Sequence, residues 1–283
     1  MNQKDLSVSG SKCRIFWGEG APEIDGRGIG MVGCFSAGSK REALALLDLA
    51  ERELYSKGVT SLRGPLDGDT MHPYRFVVES DGSPSFPMEP GNPPDWPLWW
   101  SEAGWSIAEH YVSSRVELDS EKERDFERIE RRLCKGGLVI RPIELDRFEE
   151  ELRLLYPFLL ERFSENVLFS PFSESEFLAH YLRARPLVDS RFVLVGEDEK
   201  GLAGIVFAYV DPEQRLIVKT LASRMPGLGS LLLNRVQKTA KEIGCREAIH
   251  ALKHAGNASC RVSSRLGGAV FRRYALFGKG GPE

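Results

Sequence analysis

The chain has 283 residues, 42% apolar and 28% charged, with a formal net charge of −3; this suits two globular domains and excludes disordered or fibrous classes. The small charge supplies no field for nucleic acid or an anionic membrane, and no apolar run or leader-like start marks a membrane span or signal peptide. Five cysteines (Cys13, Cys34, Cys134, Cys245 and Cys260) without CxxC spacing exclude a full disulfide framework and fit reduced thiols in a cytoplasmic setting.

Residues 1–12 read as polar and loose. Strands are predicted at Cys13–Trp17 and Gly30–Phe35. Ser39 to Lys57 is the clearest helix: Ser39 and Glu42 have capping-box spacing, Ala43, Leu46, Leu47, Ala50 and Leu54 form one apolar stripe, and Gly58 stops it. Val59–Leu66 reads as the next strand. Residues 64–105 are rich in Pro and Gly and carry Trp96, Trp99, Trp100 and Trp105 with Tyr74, Phe76 and Phe86. Such a segment is either a wall over an acceptor pocket or a loop that packs its aromatics on the core, and large aromatics favour packing. Trp105–Leu118 reads as a closing strand. Asp119 to Lys135 alternates in charge, with Phe126, Ile129 and Leu133 on one stripe, and reads as a solvated connecting helix.

A second series begins with a strand at Leu138–Pro142, a helix from Leu145 to Phe163 and another from Glu174 to Arg185. Phe192–Glu197 and Gly201–Val210 form a predicted hairpin. The β-branched run Leu216–Ala222 then leads into Arg224-Met225-Pro226-Gly227-Leu228-Gly229-Ser230. Leu232, Leu233, Val236, Ala240 and Ile243 follow at helical spacing, and Gly244 stops them. Strand, glycine turn and helix aim bare N–H groups and a helix dipole at an anion, although the glycines alone fit a tight turn equally well. A strand at Glu247–Leu252, a short helix opened by Asn257 and a strand at Ala269–Gly278 complete the order.

Arg-x-x-Gly-x-Gly between a strand and a helix resembles the acyl-CoA pyrophosphate loop of the GNAT superfamily of N-acyltransferases. The likeness covers residues 138–279 and, weakened, 13–118. Aligning Gly58 with Gly244 superposes Leu46-Leu47 on Leu232-Leu233 and sets Gly38, Arg41 and Ala43 opposite Arg224, Gly227 and Gly229. The resemblance therefore implies an α/β (α+β) fold of two GNAT-like domains, each a mixed, mostly antiparallel sheet flanked by helices. Their bounds are a degenerate copy over 1–118, a helical linker over 119–137 and an acyl-CoA-binding domain over 138–283.

That resemblance implies transfer of an acyl group from acetyl-CoA or another acyl-CoA to an amine of a small molecule or peptide, by direct attack and without a metal. Leu221 and Ala222 would contact the pantetheine through their main chain. Arg224, Gly227, Leu228, Gly229 and Ser230 would hold the pyrophosphate, and Asn257 would touch the pantetheine. Many members carry a tyrosine acid in the helix after Asn257. Here Ser263 stands near that position, and Tyr274 on the last strand is a substitute candidate. His250 and His254, on one face of their strand by alternation, are candidate bases. The missing tyrosine favours a second reading, a silent acyl-CoA-binding or scaffolding protein. An aminoacyl-tRNA-dependent transferase is a third, with little support from net charge.

Overall fold

The polar start forms an antiparallel hairpin rather than a loose tail. Strands β1 (Asn2–Val8) and β2 (Ser11–Trp17) pair across Ser9 and Gly10, both left-handed (φ 49° and 95°), as a tight two-residue hairpin turn requires. The chain looks polar there because β1 buries only Leu6. The computed structural model describes residues 1–118 and 126–280. The chain divides into two units: Met1–Val112 with Glu165–Pro171 and the residues from Arg272 onward, and Ser113–Ser164 with Phe172–Phe271.

In the first unit, a two-stranded ribbon of β3 (Glu23–Ile24) and β4 (Arg27–Gly28) precedes β5 (Gly30–Ser36). Helix α1 (Lys40–Tyr55) and β6 (Ser61–Gly64) follow. Ser39 caps α1 by accepting from the Glu42 N–H, and Ala43, Leu46, Leu47, Ala50 and Leu54 are buried as their stripe predicts. The aromatic-rich segment holds β7 (Phe76–Ser80) and helix α2 (Trp96–Glu102) before β8 (Ser106–Glu117). Its aromatics are core material: Trp100 and Trp105 are buried with ring centroids 4.7 Å apart, and Trp100 also meets Phe35 and Phe76 edge-on. From the far end of the sequence, Arg272–Gly280 of strand β14 (Ala269–Gly280) pairs with both β6 and β7. Sheet neighbours in this unit include β1-β2-β5-β6-β14; β5 and β6 pair in parallel, and β1–β2, β2–β5 and β6–β14 pair antiparallel.

The second unit opens on the last residues of β8 and helix α3 (Phe126–Lys135). The N-terminal part of the expected connecting helix, 119–125, lies outside the described residues. Then come β9 (Val139–Pro142), α4 (Phe148–Phe163), α5 (Glu174–Ala184), β10 (Val193–Asp198), β11 (Gly201–Val210) and β12 (Leu216–Ser223). Helix α6 (Leu228–Glu242), strand β13 (Glu247–His254) and helix α7 (Ala258–Arg265) complete it. Strands β9 to β12 pair antiparallel in sequence, and β13 joins β12 in parallel. One face of this sheet, through Ala203, Val206, Leu216 and Val218, packs on Leu228, Leu232 and Val236 of α6. Among the described residues no helix is long and apolar enough to cross a membrane.

Glu51 shows how the first unit is pinned. This buried carboxylate of α1 accepts from Trp105 Nε1 at 2.8 Å and from Lys279 Nζ at 2.7 Å. Glu51→Ala strands the buried Trp105 donor, at a cost of about 1–3 kcal/mol, and takes the carboxylate from Lys279, which keeps the Ala103 carbonyl (2.7 Å). Urea unfolding of that variant is expected to show a loss of about 1–3 kcal/mol; a change too small to measure would mean that the bridge contributes nothing.

Candidate functional site

Lys219 is an extra residue in β12. On the β11 side, Phe207 faces Thr220 while Ala208 faces Val218, so Lys219 bulges, and a bulged strand bends. On the other side, β12 follows β13 only from Leu216–Val218 beside Ala248–His250. Beyond the bulge the two strands part. The Arg224 N–H donates to the Ala203 carbonyl of β11 at 2.9 Å; by alternation, the N–H groups of Ser223 and Leu221 face the opposite edge, into the gap.

The turn that follows is built for close approach to its backbone. Gly227 caps α6 at φ +93°, a conformation that favours glycine, and a Cβ there would lie 3.0 Å from Arg132 Nη2 and 3.2 Å from Ile129. Leu228 turns inward and is buried, with Gly196 and Gly204 making room for it. The Leu231 N–H returns to the Gly227 carbonyl at 3.0 Å. Among the described residues, the N–H groups of Gly227, Gly229 and Ser230 have no partner. Three bare amides at the positive end of a helix of 15 residues form a seat for an anion.

Arg224 is engaged elsewhere. Its guanidinium binds the Asp198 carboxylate and the Leu202 carbonyl (2.9 Å), tying β12 to the β10–β11 hairpin. The cation at the turn is instead Arg132 of α3, exposed, which donates to the Pro226 carbonyl at 2.9 Å. Nothing in the sequence distinguished Arg132 from its neighbours on a helix that reads as solvated. The signal lies in its spacing of three from Ile129, which sets both residues over Gly227.

Across the gap, β13 carries a buried polar cluster. His250 Nδ1 lies 2.9 Å from Ser263 Oγ of α7, and Nε2 lies 2.9 Å from Gln237 Nε2 of α6. With the Gln237 amide donating, the ring N–H donates to Ser263. Burial first and the nearby Lys253 charge second push His250 down to about 3, so it is neutral at physiological pH with both nitrogens occupied.

Leu252 adopts φ +54°, and this breaks the alternation of β13. Lys253, not His254, therefore joins His250 at Ser263. Lys253 Nζ donates to Ser114 Oγ (2.8 Å), Ser263 Oγ (3.2 Å) and the His250 carbonyl (3.2 Å). Burial pushes this ammonium down to about 8. The His254 ring folds back on its own turn, where Nδ1 accepts from the Gly256 N–H at 3.2 Å. Asn257 caps α7 without a side-chain capping bond. Leu221 packs toward the α6 core and Ala222 is buried. Tyr274 belongs to the first unit, where its hydroxyl donates to Glu89. Among the described residues no group of three or more His, Cys, Asp or Glu is placed to hold a metal.

No protein-family model matches the sequence, and no curated protein sequence matches it. Solved structures do match. A GCN5-related glucosamine N-acetyltransferase region of a fungal multi-domain GH3 β-N-acetylglucosaminidase aligns at TM-score 0.56 and 15% identity, over 95% of this chain. This chain spans only 31% of that fungal protein. A GCN5-related N-acetyltransferase from Sphaerobacter thermophilus aligns at TM-score 0.56 and 13% identity, over 96% of this chain and 78% of its own. A tandem GNAT protein from the clavulanic acid biosynthesis pathway aligns at TM-score 0.50 and 16% identity, over 100% and 84%.

The chain has the GNAT fold. Both units contain three strands, a helix and a further strand in that order: β1, β2, β5, α1 and β6 in the first, and β10, β11, β12, α6 and β13 in the second. They differ where the second unit opens its gap. In the first unit the corresponding parallel pair, β5 and β6, meets only at Gly30–Met31 beside Leu62–Arg63. The space beyond is filled by the chain itself. The Leu66 N–H donates to the Val32 carbonyl (3.0 Å), a Cβ at Gly33 would sit 2.4 Å from the Leu66 carbonyl oxygen, and Asp67 Oδ1 accepts from the Cys34 N–H (2.6 Å). At the start of α1, Ser39 and Ser11 take the Glu42 and Gly38 N–H groups, and Ser11 donates to the Glu42 carboxylate. In this unit the chain itself supplies the acceptors for the Cys34, Gly38, Glu42 and Leu66 N–H groups.

His250 makes stability depend on pH. Its folded value is about 3 against 6.5 unfolded, so between those limits the unfolded chain binds more protons and stability falls as pH falls. Denaturant titrations from pH 7 to pH 4 are expected to show this slope in the native chain and a shallower one in His250→Gln. Equal slopes would mean that the ring is not buried uncharged.

Proposed function

We propose that the second unit binds an acyl-CoA thioester and transfers its acyl group to an amine of a small molecule or peptide. One observation carries this reading: the open edge of β12 runs directly into three unpaired amides at the start of α6. A thioester carbonyl fits donors on a strand edge, and a diphosphate fits amides at a helix start, so the two features match the two ends of one donor molecule. Gly227 leaves room for the diphosphate, and Arg132 adds a charge-assisted bond. Arg224 keeps the hairpin and the turn in register. Holding donor and acceptor in one cleft removes much of the entropic barrier.

The amine attacks the carbonyl carbon in its neutral form, the N–H of Leu221 or Ser223 stabilises the developing oxyanion, and the C–S bond breaks. The nitrogen of the new amide loses a proton to solvent, which in turn recharges Lys253. The departing thiolate then needs a proton. Ser263 accepts from both Lys253 and His250, which leaves its own hydroxyl proton to donate, with the Lys253 ammonium to replace it. An acid near 8 is matched to a thiol of ordinary pKa near 8.5. His250 holds Ser263 in place and takes no proton. The burial of Ser263 and Lys253 favours one other reading, a protein that binds acyl-CoA without turnover. Release of free CoA in the presence of amines separates the two.

Gly227→Val is expected to abolish CoA binding measured by calorimetry, since a β-branched residue at positive φ is strained and fills the seat. Arg132→Ala is expected to weaken binding about tenfold, by roughly 1.4 kcal/mol, with a reduced salt dependence. Undiminished affinity in both would remove the diphosphate assignment.

In the native chain kcat is expected to fall as pH rises through about 8, where Lys253 loses its proton. Lys253→Met is expected to lower kcat by about 10²-fold or more and to remove that limb of the profile. A lower kcat with the same limb would make Lys253 structural.

A further inference from the structure

Gln237 is no part of the anion seat, yet the hydrogen-bond chain that ends at Ser263 begins on it. It lies seven residues beyond Ser230 on α6, about 10 Å along the helix axis, and its side chain is buried against His250 of β13. An amide nitrogen has hydrogens to give and no lone pair to receive with. Its approach to His250 Nε2 at 2.9 Å therefore requires the ring lone pair on Nε2. Burial keeps the ring uncharged, so it holds one proton, and that proton sits on Nδ1, facing Ser263 Oγ at 2.9 Å.

Lys253 works against this arrangement. Its Nζ also contacts Ser263 Oγ (3.2 Å), so the ammonium charge stands on the Nδ1 side of the ring, where it attracts a lone pair in place of an N–H. Gln237 is what holds the proton on the disfavoured nitrogen. The consequence falls on Ser263, which has one proton and two lone pairs. The Lys253 ammonium fills one lone pair. With Nδ1–H donating, the ring fills the other, and the hydroxyl proton is left for the departing sulfur. With the proton on Nε2, Nδ1 becomes an acceptor, the hydroxyl turns to it, and a lone pair of Ser263 meets the developing thiolate. We propose that Gln237 is a positioning residue for acyl transfer: by donating to His250 it fixes the ring tautomer that keeps the Ser263 proton free for the leaving group. The inference rests on the transfer reading above and adds a residue that acts only through His250 and Ser263.

Two substitutions test it. Gln237→Met keeps most of the volume and presents a thioether, a weak acceptor, in place of the donor; Gln237→Leu presents neither. Nitrogen-15 spectra of histidine-labelled protein at pH 7 read which ring nitrogen holds the proton, with His250→Gln identifying the His250 signals among the five histidines. The native ring is expected to be protonated on Nδ1 and both variants on Nε2. CoA affinity by calorimetry is expected to be unchanged, while kcat for CoA release from acetyl-CoA, with the fastest acceptor of a panel of primary alkylamines and amino-acid amides, falls about 10²-fold. In the His250→Gln background, Gln237→Met is expected to cost little further, because no tautomer is left to fix. If Gln237→Met melts without a cooperative transition, the native spectrum and Gln237→Leu decide the matter. A native ring protonated on Nε2, or a tautomer that moves while kcat does not, overturns the inference and leaves the transfer reading intact. A loss of kcat with the tautomer unmoved, or one that adds fully to that of His250→Gln, makes Gln237 a packing residue and also overturns it. A native chain that releases no CoA with any acceptor overturns the transfer reading and this inference with it.

Discussion

The parting of β12 from β13 is the constraint on which the second unit turns. A strand edge inside a fold carries N–H groups that must find partners or lose free energy. Most sheets meet that demand by continuing the ladder. Here the bulge at Lys219 ends it after three residue pairs, and the glycine turn adds further unpaired amides within a few residues. The cost is concentrated at one place and runs along one line, from strand edge to helix start. The ligand proposed above, with a carbonyl at one end and a diphosphate at the other, would offset it along its whole length. The surrounding architecture serves to hold that line open: Arg224 fastens the hairpin, Leu228 fills the space left by Gly196 and Gly204, and the Lys253–Ser263–His250 cluster braces β13 against α7.

The first unit shows the same scaffold with that demand met from within. Asp67 supplies an acceptor to a strand-edge amide, the Leu66 carbonyl occupies the space a glycine leaves at position 33, and serine hydroxyls cap α1. No large rearrangement separates a unit that closes its gap from one that keeps it open. A carboxylate three residues past a strand and a capping serine are sufficient, because each replaces an acceptor that a ligand would otherwise provide.

Local features of this fold were legible in the sequence. The capping spacing of Ser39 and Glu42, the stripe of α1 and the Gly227–Gly229 turn all lie within windows of a few residues, where periodicity and backbone freedom decide the outcome. What the sequence concealed depended on partners distant along the chain or on one unexpected dihedral angle. Arg224 reads as a phosphate ligand until Asp198, 26 residues earlier, is seen to hold it. Strict alternation puts His254 beside His250, and the left-handed Leu252 substitutes Lys253. Arg132 sits on a helix whose charge pattern marks it only as solvated, although Ile129 and Leu133 bring that face to the site. The opening hairpin was hidden for a related reason: an outer strand with one buried residue has the composition of a tail.

The exchange of β14 bears on how the molecule is made. Phe277 belongs to the core of the first unit, and Tyr55 at the end of α1 donates to the Gly280 carbonyl, 225 residues away in sequence. During synthesis the ribosome therefore delivers β1 to β8 long before the strand that completes their sheet exists. Until then β6 and β7 present an unsatisfied border and the tryptophan cluster lacks one of its walls, a state prone to sticking to other chains. The amino-terminal half must wait, shielded or half-assembled, for residues that emerge after the rest of the second unit has already been translated.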